Sequence, residues 1–393
     1  MSVPFLYVRA SGSYREIGRQ IGEAARPQVE ASVAFYREYF ETMSGGLSFA
    51  AAERQAAAYL RFARAYTPQL VEELEGMAEG AGRPFMELFV PNCGEEFTSG
   101  EPVEGPSAPL PEGAGAAARG DTSDAGTGPA TGAVVPARPP GGRQGDHCTA
   151  VAVNAGGRHV IGHNMDWYVI DVESNVVFDL TLPGGTRILT IAGVPYLPML
   201  GMTSDGIGNV SNSLHSNDNR IGLPNVFVRR WSLEARSVGE ARRRGLHHAR
   251  ARGTNQLFLD TTGHLVDVES SALASGETSG GEWFAHTNHY DLPQMSSREA
   301  VYHEESRTRL ATARRLLADG VAGGDDPVDV IARVLRCHEP SPDDCICSHP
   351  DGTEPLGEQG QTVASMICDL DERRLYACAG TPCDNPYQVF EMA

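Results

Sequence analysis

The feature that most constrains this 393-residue chain is a break in its patterning between Glu101 and Gly145. Of the 45 residues there, 10 are Gly, 8 are Pro and 9 are Ala, with no aromatic residue and only four large aliphatics. A stretch so poor in apolar side chains cannot bury enough surface to offset the entropy of ordering it. It predicts a flexible, exposed linker over residues 101–147, between an N-terminal part, 1–100, and a C-terminal part, 148–393. No internal repeat is visible, and the two flanks carry different periodicities, so the linker joins unlike structures.

Upstream of the break the period is helical. Ile17, Ile21, Ala24 and Ala25 fall on one face, and Val29, Val33, Tyr36 and Phe40 continue it beyond Pro27. A second helix fits 50–66. Thr67-Pro68 then reads as an N-cap with proline at the first helical position, ahead of an apolar stripe (Leu70, Val71, Leu74, Met77, Ala78, Ala81) that stops at Gly82. The first hundred residues are thus expected to form a helical layer.

Downstream the pattern shifts to short alternating runs bounded by turn residues. Runs 149–154 and 158–163 flank Gly156-Gly157, 176–182 and 186–191 flank Pro183-Gly184-Gly185, and 255–260 and 264–269 flank Thr261-Thr262-Gly263. Run 362–369 pairs naturally with 374–379. Helices are expected over 225–234, after the capping box Ser237-Val238-Gly239-Glu240, over 304–317, and from Asp326-Pro327 to Leu335. Hairpins grouped between helices predict an α+β layered domain rather than a doubly wound parallel sheet.

Fifty-one acidic residues against 32 basic ones give a net charge of −19. A surface this negative repels phosphate backbones and anionic lipid, which argues against nucleic-acid and membrane partners. The opening Met1–Tyr7 has neither the basic nor the apolar region of a secretory signal, and no run approaches the ~20 apolar residues of a membrane span. A cytoplasmic location is the expectation, with the eight cysteines as thiols.

Cys148 stands where the linker ends and the first strong strand begins, in Gly145-Asp146-His147-Cys148-Thr149-Ala150. Taken locally, it reads most simply as a buried, inert thiol. If the His147–Cys148 bond is cut, however, the new α-amine, with an ordinary pKa of about 7.7–8, can act as general base for its own thiol. Asp166 follows 18 residues later, at the end of the returning strand, placed to orient that amine. Asn288, in Phe284-Ala285-His286-Thr287-Asn288-His289-Tyr290, ends another apolar strand and can donate to an oxyanion.

Seven segments, in order, resemble the motifs of the C45 peptidase family, the acyl-coenzyme A:6-aminopenicillanate (isopenicillin N) acyltransferase group of N-terminal nucleophile hydrolases. They are Ser11-Gly12-Ser13-Tyr14-Arg15-Glu16-Ile17-Gly18 with Gly22; Tyr66-Thr67-Pro68 through Gly76-Met77-Ala78-Glu79-Gly80-Ala81-Gly82, leading to Asn92-Cys93; Cys148-Thr149; Gly162-His163-Asn164-Met165-Asp166-Trp167; Thr287-Asn288-His289-Tyr290; Ser306-Arg307-Thr308-Arg309; and Ile346-Cys347-Ser348-His349-Pro350. The resemblance implies a four-layer αββα sandwich and a precursor that cleaves itself between His147 and Cys148. The α chain then has 147 residues and the β chain 393 − 147 = 246, and the two remain associated. It implies Cys148 as nucleophile, Asp166 as orienter of the amine, Asn288 in the oxyanion hole and Arg309 as the nearby positive charge, with Arg307 as fallback. His163, Asn164, Trp167, His289 and Tyr290 are candidates for substrate contact. Two features depart from the family pattern: His147 stands where the penicillin-forming enzymes have glycine, and the insert is long.

The expected activity is that of a cysteine amide hydrolase or acyltransferase working on a small amide or acyl thioester, a coenzyme A thioester included, without cofactor or metal. Hydrolysis of a C–N amide bond is favoured, since water needs no dedicated site; penicillin-type N-acyl transfer is the alternative. Two rivals remain. One is an uncleaved Cys–His hydrolase using His289 or His163 as base. The other is a zinc-binding, non-enzymatic protein built on Cys337-His338, Cys345, Cys347 and His349. That spacing matches no common finger or ribbon, and ligands one residue apart on a strand point to opposite faces, so buried thiols in a loop are the simpler expectation. Cys368, Cys378 and Cys383 read as core or near-core positions. The basic run Arg242-Arg243-Arg244, His247, His248, Arg250, Arg252 reads as a solvated helix face, or as a clamp for an anionic acyl donor.

Overall fold

The computed structural model describes residues 5–42, 48–98, 107–111, 147–341, 344–350, 352 and 359–392. The elements run β1 (Leu6–Ser11), α1 (Tyr14–Ala24), α2 (Arg26–Thr42), α3 (Phe49–Tyr66), α4 (Pro68–Ala81), α5 (Phe85–Phe89) and α6 (Glu95–Thr98). After the long insert follow β2 (Thr149–Ala155), β3 (Arg158–Tyr168), β4 (Asn175–Thr181), β5 (Arg187–Gly193), β6 (Gly201–Thr203), β7 (Ile207–Ser213), α7 (Asn225–Leu233) and α8 (Val238–Gly245). The remainder is β8 (Thr254–Asp260), β9 (Val266–Ser270), β10 (Ser275–Ser279), β11 (Trp283–His286), α9 (Glu304–Gly323), α10 (Pro327–Leu335), β12 (Gly360–Asp369), β13 (Arg374–Ala379) and β14 (Gln388–Glu391).

Among the described residues the strands form two sheets, ordered β1-β4-β5-β6-β7-β8-β9-β10 and β11-β2-β3-β12-β13-β14. Alternation along the strands sends successive side chains to opposite faces and so sorts the core into layers. Val177, Leu189 and Ile191 of the first sheet meet Ala152, Ile161, Met366 and Cys368 of the second in one apolar cluster between the sheets. The alternate residues Val176 and Phe178 face outward to a helical cluster that includes Ile17, Ile21, Leu70, Leu74 and Met77. On the other side Val151, Val153, Val160 and Ile367 pack on Leu310, Leu317, Ile331 and Leu335 of α9 and α10. The order helices, sheet, sheet, helices is the expected αββα sandwich.

The N-terminal part is not helical throughout. β1 lies parallel to β4 from Leu6↔Val176 to Ser11↔Thr181, so the chain upstream of the insert supplies a strand to the first sheet. On the helix face read from the sequence, Ala24 is exposed whereas Ile17, Ile21 and Ala25 are buried. Thr67 occupies the N-cap of α4, but its hydroxyl donates back to the Ala63 carbonyl, 3.1 Å away, instead of capping the new helix. Residues 101–106 and 112–146 of the expected linker lie outside the described residues. Of the rest, Ala108 is buried and its N–H donates to the Ile221 carbonyl.

The glycines of the first two family-like segments have a steric reason. A Cβ on Gly18 would stand 1.7 Å from the Glu73 carbonyl oxygen, and one on Gly76 2.1 Å from that of Arg15. Gly22 and Gly80 are equally tight against α4 and α1. These two helices therefore touch backbone to backbone, which no larger residue permits. Between them and α7, Arg230 and Glu73 make a fully buried ion pair at 2.8 Å, with Glu234 at 3.2 Å. Among the described residues, no helix is long and apolar enough to cross a membrane.

Candidate active site

The hairpin that carries Cys148 is set by its turn. Gly156 and Gly157 both take positive φ, 60° and 74°, which matches the twist of a tight two-residue β-turn. The resulting register opposes Thr149 to Asn164, so Cys148 sits at the mouth of the central strand pair and Asp166 lies just beyond it on β3. Along β3 the period of two puts Asn164 and Asp166 on one face and His163, Met165 and Trp167 on the other.

Arg309 joins the pieces. Its guanidinium donates through Nη1 to the His147 carbonyl (2.6 Å), the Cys148 carbonyl (2.9 Å) and Thr149 Oγ1 (3.3 Å). Through Nη2 it donates to Asn288 Oδ1 at 3.1 Å. Asn288 Nδ2 donates to the Ser213 carbonyl at 3.2 Å, and its backbone N–H donates to Ser306 Oγ at 2.8 Å. Ser306 and Arg309 are three apart on α9 and so share a face. One helical turn thus fixes both the asparagine and the carbonyls on either side of Cys148. Arg307, the fallback position, points elsewhere, pairing with Glu299 at 2.6 Å and lying over the Tyr302 ring.

Asp166 is buried, with Oδ1 accepting from Thr362 Oγ1 at 2.7 Å. Burial pushes its carboxyl up to about 7, and Thr362 and Arg309 counter this only in part. Its Oδ2 is buried without a hydrogen-bond partner. Thr362 is a positioning residue that sequence reasoning missed, since a threonine inside a strand carries no local signal. Its hydroxyl accepts from the Ser348 N–H while donating to Asp166. Asn164 turns away from the site and donates to the Leu335 and Ile346 carbonyls (2.8 and 3.0 Å), clamping the segment around Ile346.

Cys148 and Asp166 line the same cavity. Its walls include an aromatic group: Tyr36, Tyr39 and Phe40 from α2, Trp167 and Tyr168 from β3, and Tyr196. A polar cluster lies in this wall, where Tyr36 Oη meets Tyr196 Oη (2.5 Å), Trp167 Nε1 (3.0 Å) and Asp171 (3.4 Å). Burial pushes Asp171 up to about 7. Elsewhere in the lining Arg229 grips Glu95; burial alone would raise the Glu95 carboxyl, but Arg229 and Arg252 hold it down at about 2. The aromatic face of α2 was legible only as a helix stripe, and the buried pair Glu95–Arg229 gave no signal.

The histidines are placed differently from one another. His163 lines the cavity with Nε2 donating to the Ser211 carbonyl at 2.8 Å, while His289 Nδ1 contacts Ser306 and Thr287. Burial pushes both to about 3, so neither is a proficient base near neutrality. Tyr290 donates to the Ser270 carbonyl within a separate apolar cluster. His286 faces acceptors at both nitrogens, Thr287 O at 2.6 Å and Glu269 Oε1 at 3.0 Å, which requires an imidazolium. Burial would lower it, but Asp267 and Glu269 hold it up at about 9. Glu269 also accepts from the Asp291 and Leu292 N–H groups, so this buried pair braces the turn that presents Asn288. The basic run does not line the cavity. Arg250 is buried among carbonyls, Arg252 reaches the Glu95 carbonyl, and Arg242 and Arg244 pair with Glu277 and Glu240.

Similarity to known proteins follows the same lines. Among solved structures the chain is similar to penicillin V acylase from Agrobacterium tumefaciens (14% identity, 59% of this chain and 82% of that one, TM-score 0.43). It is also similar to the N-acylethanolamine-hydrolyzing acid amidase ortholog of Caenorhabditis elegans (14%, 57% and 92%, TM-score 0.40). Among curated proteins it is 22% identical over 400 residues, covering 98% of this chain and 96% of the relative, to the 40 kDa form of acyl-coenzyme A:6-aminopenicillanic-acid-acyltransferase from Emericella nidulans. The model of the acyl-coenzyme A:6-aminopenicillanic acid acyl-transferase family matches residues 153–384, and the chain belongs to that family.

Proposed function

We propose that the protein is an autoprocessing N-terminal-cysteine amidohydrolase that acts on a small amide with an apolar or aromatic acyl group. The observation that carries this reading is the convergence on Cys148: Arg309 donates to the carbonyls on both sides of it, and Cys148 shares a partly aromatic cavity with Asp166.

In maturation, Asp166 takes the Cys148 thiol proton and passes it to the departing nitrogen, while Sγ attacks the His147 carbonyl carbon and negative charge develops on the oxygen that Arg309 Nη1 already holds at 2.6 Å. Collapse breaks the C–N bond, leaving His147 as a thioester on Sγ and a free amine on Cys148. Water then releases the 147-residue α chain with a His147 carboxylate. The chains stay together because β1 remains paired with β4 and the α-chain helices remain buried against that sheet.

In turnover, the α-amine takes the thiol proton, with Asp166 holding the resulting ammonium. The thiolate attacks the substrate amide, the leaving amine departs with that proton, and water hydrolyses the acyl thioester. Asn288 supplies an oxyanion donor from the Nδ2 hydrogen not given to Ser213. Transfer of the acyl group to an amine is the second reading, favoured by the name of the Emericella relative.

Intact-mass spectrometry of the purified protein beside Cys148→Ala tests maturation without a known substrate. Two species of 147 and 246 residues, the larger starting Cys-Thr-Ala, are expected for the wild type and one species for the variant. A single 393-residue species with full amidase activity refutes the mechanism. Aryl- and alkyl-acyl amides assayed with and without 6-aminopenicillanic acid then separate hydrolysis from transfer.

A further inference from the structure

Behind the catalytic strands, two neighbouring segments and one more distant in sequence bring four donors together. His338 follows α10, Cys347 and His349 lie in the loop before β12, and Cys383 lies in the turn after β13. One donor atom from each falls within 4.8 Å of the others. Cys347 Sγ and Cys383 Sγ are 3.5 Å apart, His338 Nε2 and His349 Nε2 3.1 Å, and His349 Nε2 lies 3.8 Å from Cys347 Sγ and 3.2 Å from Cys383 Sγ. With zinc–sulfur bonds of about 2.3 Å and zinc–nitrogen bonds of about 2.0–2.1 Å, a tetrahedron has edges of about 3.8, 3.5 and 3.3 Å for S···S, S···N and N···N. Four of the six edges stand at those separations to within a few tenths of an ångström, and the two from His338 to the sulfurs are within 4.8 Å.

We propose that His338, Cys347, His349 and Cys383 form a Cys₂His₂ site for a structural zinc ion. The ligand set differs from the sequence cluster. Cys345 turns its Sγ to the Cys347 carbonyl (3.0 Å) and Cys337 Sγ accepts from the Glu339 N–H (3.3 Å), while Cys383, which reads in the sequence as a near-core position, completes the set. Cys347 and His349, two apart in the loop, both reach the cluster. Asp384 Oδ2, 3.8 Å from His349 Nδ1, is placed as the carboxylate partner that metal-bound histidines commonly have. Two thiolates on a dication leave the site neutral, with zinc displacing the two thiol protons.

The site bears on the catalytic strands through Ser348, between two of the ligands. Ser348 O accepts from the Thr362 N–H (3.0 Å), its N–H donates to Thr362 Oγ1 (3.0 Å), and that hydroxyl donates to Asp166. A metal that fixes this loop fixes the hydroxyl that orients Asp166.

The test is elemental analysis of full-length protein purified without chelators, with cobalt spectroscopy of the metal-stripped wild type. About one zinc per chain is expected, falling to background in Cys347→Ser and Cys383→Ser and retained in Cys337→Ser. Cobalt should give thiolate charge-transfer and intense tetrahedral d–d bands at one equivalent, and zinc should raise the unfolding temperature of the stripped protein. The cobalt experiment uses the wild type, so it stands if a serine variant fails to fold, and none of these readouts depends on maturation or turnover. Zinc-free protein that gives no tetrahedral cobalt spectrum, a Cys347–Cys383 disulfide in freshly purified protein, or loss of zinc in Cys337→Ser would overturn the assignment.

Discussion

Replacing Arg309 by Gln tests the proposed maturation step at its charged group. The guanidinium lies 2.6 Å from the His147 oxygen while that oxygen is still a neutral carbonyl, so part of its interaction already exists in the ground state and does not accelerate cleavage. Loss of a single oxyanion donor costs about 2.7–4 kcal/mol in acyl transfer. Because that oxygen is already held in the ground state, Arg309→Gln should fall at the low end of that range, about 2.7 kcal/mol, with cleavage slowed roughly 10²-fold. Arg309 is buried and has four acceptors, so the variant also loses about 3–5 kcal/mol of stability, tolerable only if the fold has the upper range of ordinary domain stabilities. Expression and assay at low temperature, with circular dichroism to confirm folding, separate the two effects. Arg309→Lys retains the charge but has one nitrogen where two are used, so it should recover part of the cleavage rate without restoring the clamp on Asn288. The readout is the fraction of 393-residue precursor by mass spectrometry against time. Folded Arg309→Gln that matures at the wild-type rate, while Cys148→Ala does not mature, would refute the role given to Arg309.

Three further outcomes are expected. The Asp166 carboxyl, pushed up to about 7, accepts a proton during cleavage only when ionised, so maturation in vitro should accelerate as pH rises through about 7, and Asp166→Asn should flatten that profile. Gly76→Ala places a Cβ 2.1 Å from the Arg15 carbonyl oxygen, so the overpacking cost, about 1–3 kcal/mol or more, exceeds the ~1 kcal/mol helix-propensity gain and the melting temperature should fall. Gly239→Ala in α8, whose nearest neighbour is a flexible arginine tip at 3.7 Å, should raise it slightly. The His286 imidazolium is held above its ordinary 6.5 at about 9, so its contribution is fully present below 6.5 and lost as pH rises through about 9. That rise is worth about 3 kcal/mol at 1.36 kcal/mol per pH unit, so between denaturant melts at pH 6.5 and 9.5 the wild type should lose up to about that much more stability than His286→Gln. Asp267, pushed up to about 6, titrates below this window.

What the sequence displays and what it conceals divide along physical lines. The hairpin of β2 and β3 was legible because one glycine turn and one alternation specify it, and register then places Cys148 and Asp166 without further information. The motif at Ser306–Arg309 was legible as a spacing, but its reason is three-dimensional: one face of α9 meets the Asn288 turn and the Cys148 strand at once. β1 escaped notice because its partner β4 lies some 170 positions downstream, and local patterning carries no trace of so distant a pairing. β10, Ser-Gly-Glu-Thr-Ser at the sheet edge, has no apolar residue to betray it. The donor cluster shows the same limit most sharply. Local spacing selected Cys337 and Cys345, which neighbour the ligands in sequence, and passed over Cys383, which the turn after β13 returns to them. Spacing rules succeed where both ends of a contact lie in one element or one hairpin. Where a site is closed by the return of a later strand, sheet topology decides the membership, and here it adds Cys383, from the turn after β13, to His338, Cys347 and His349, which already neighbour one another in sequence.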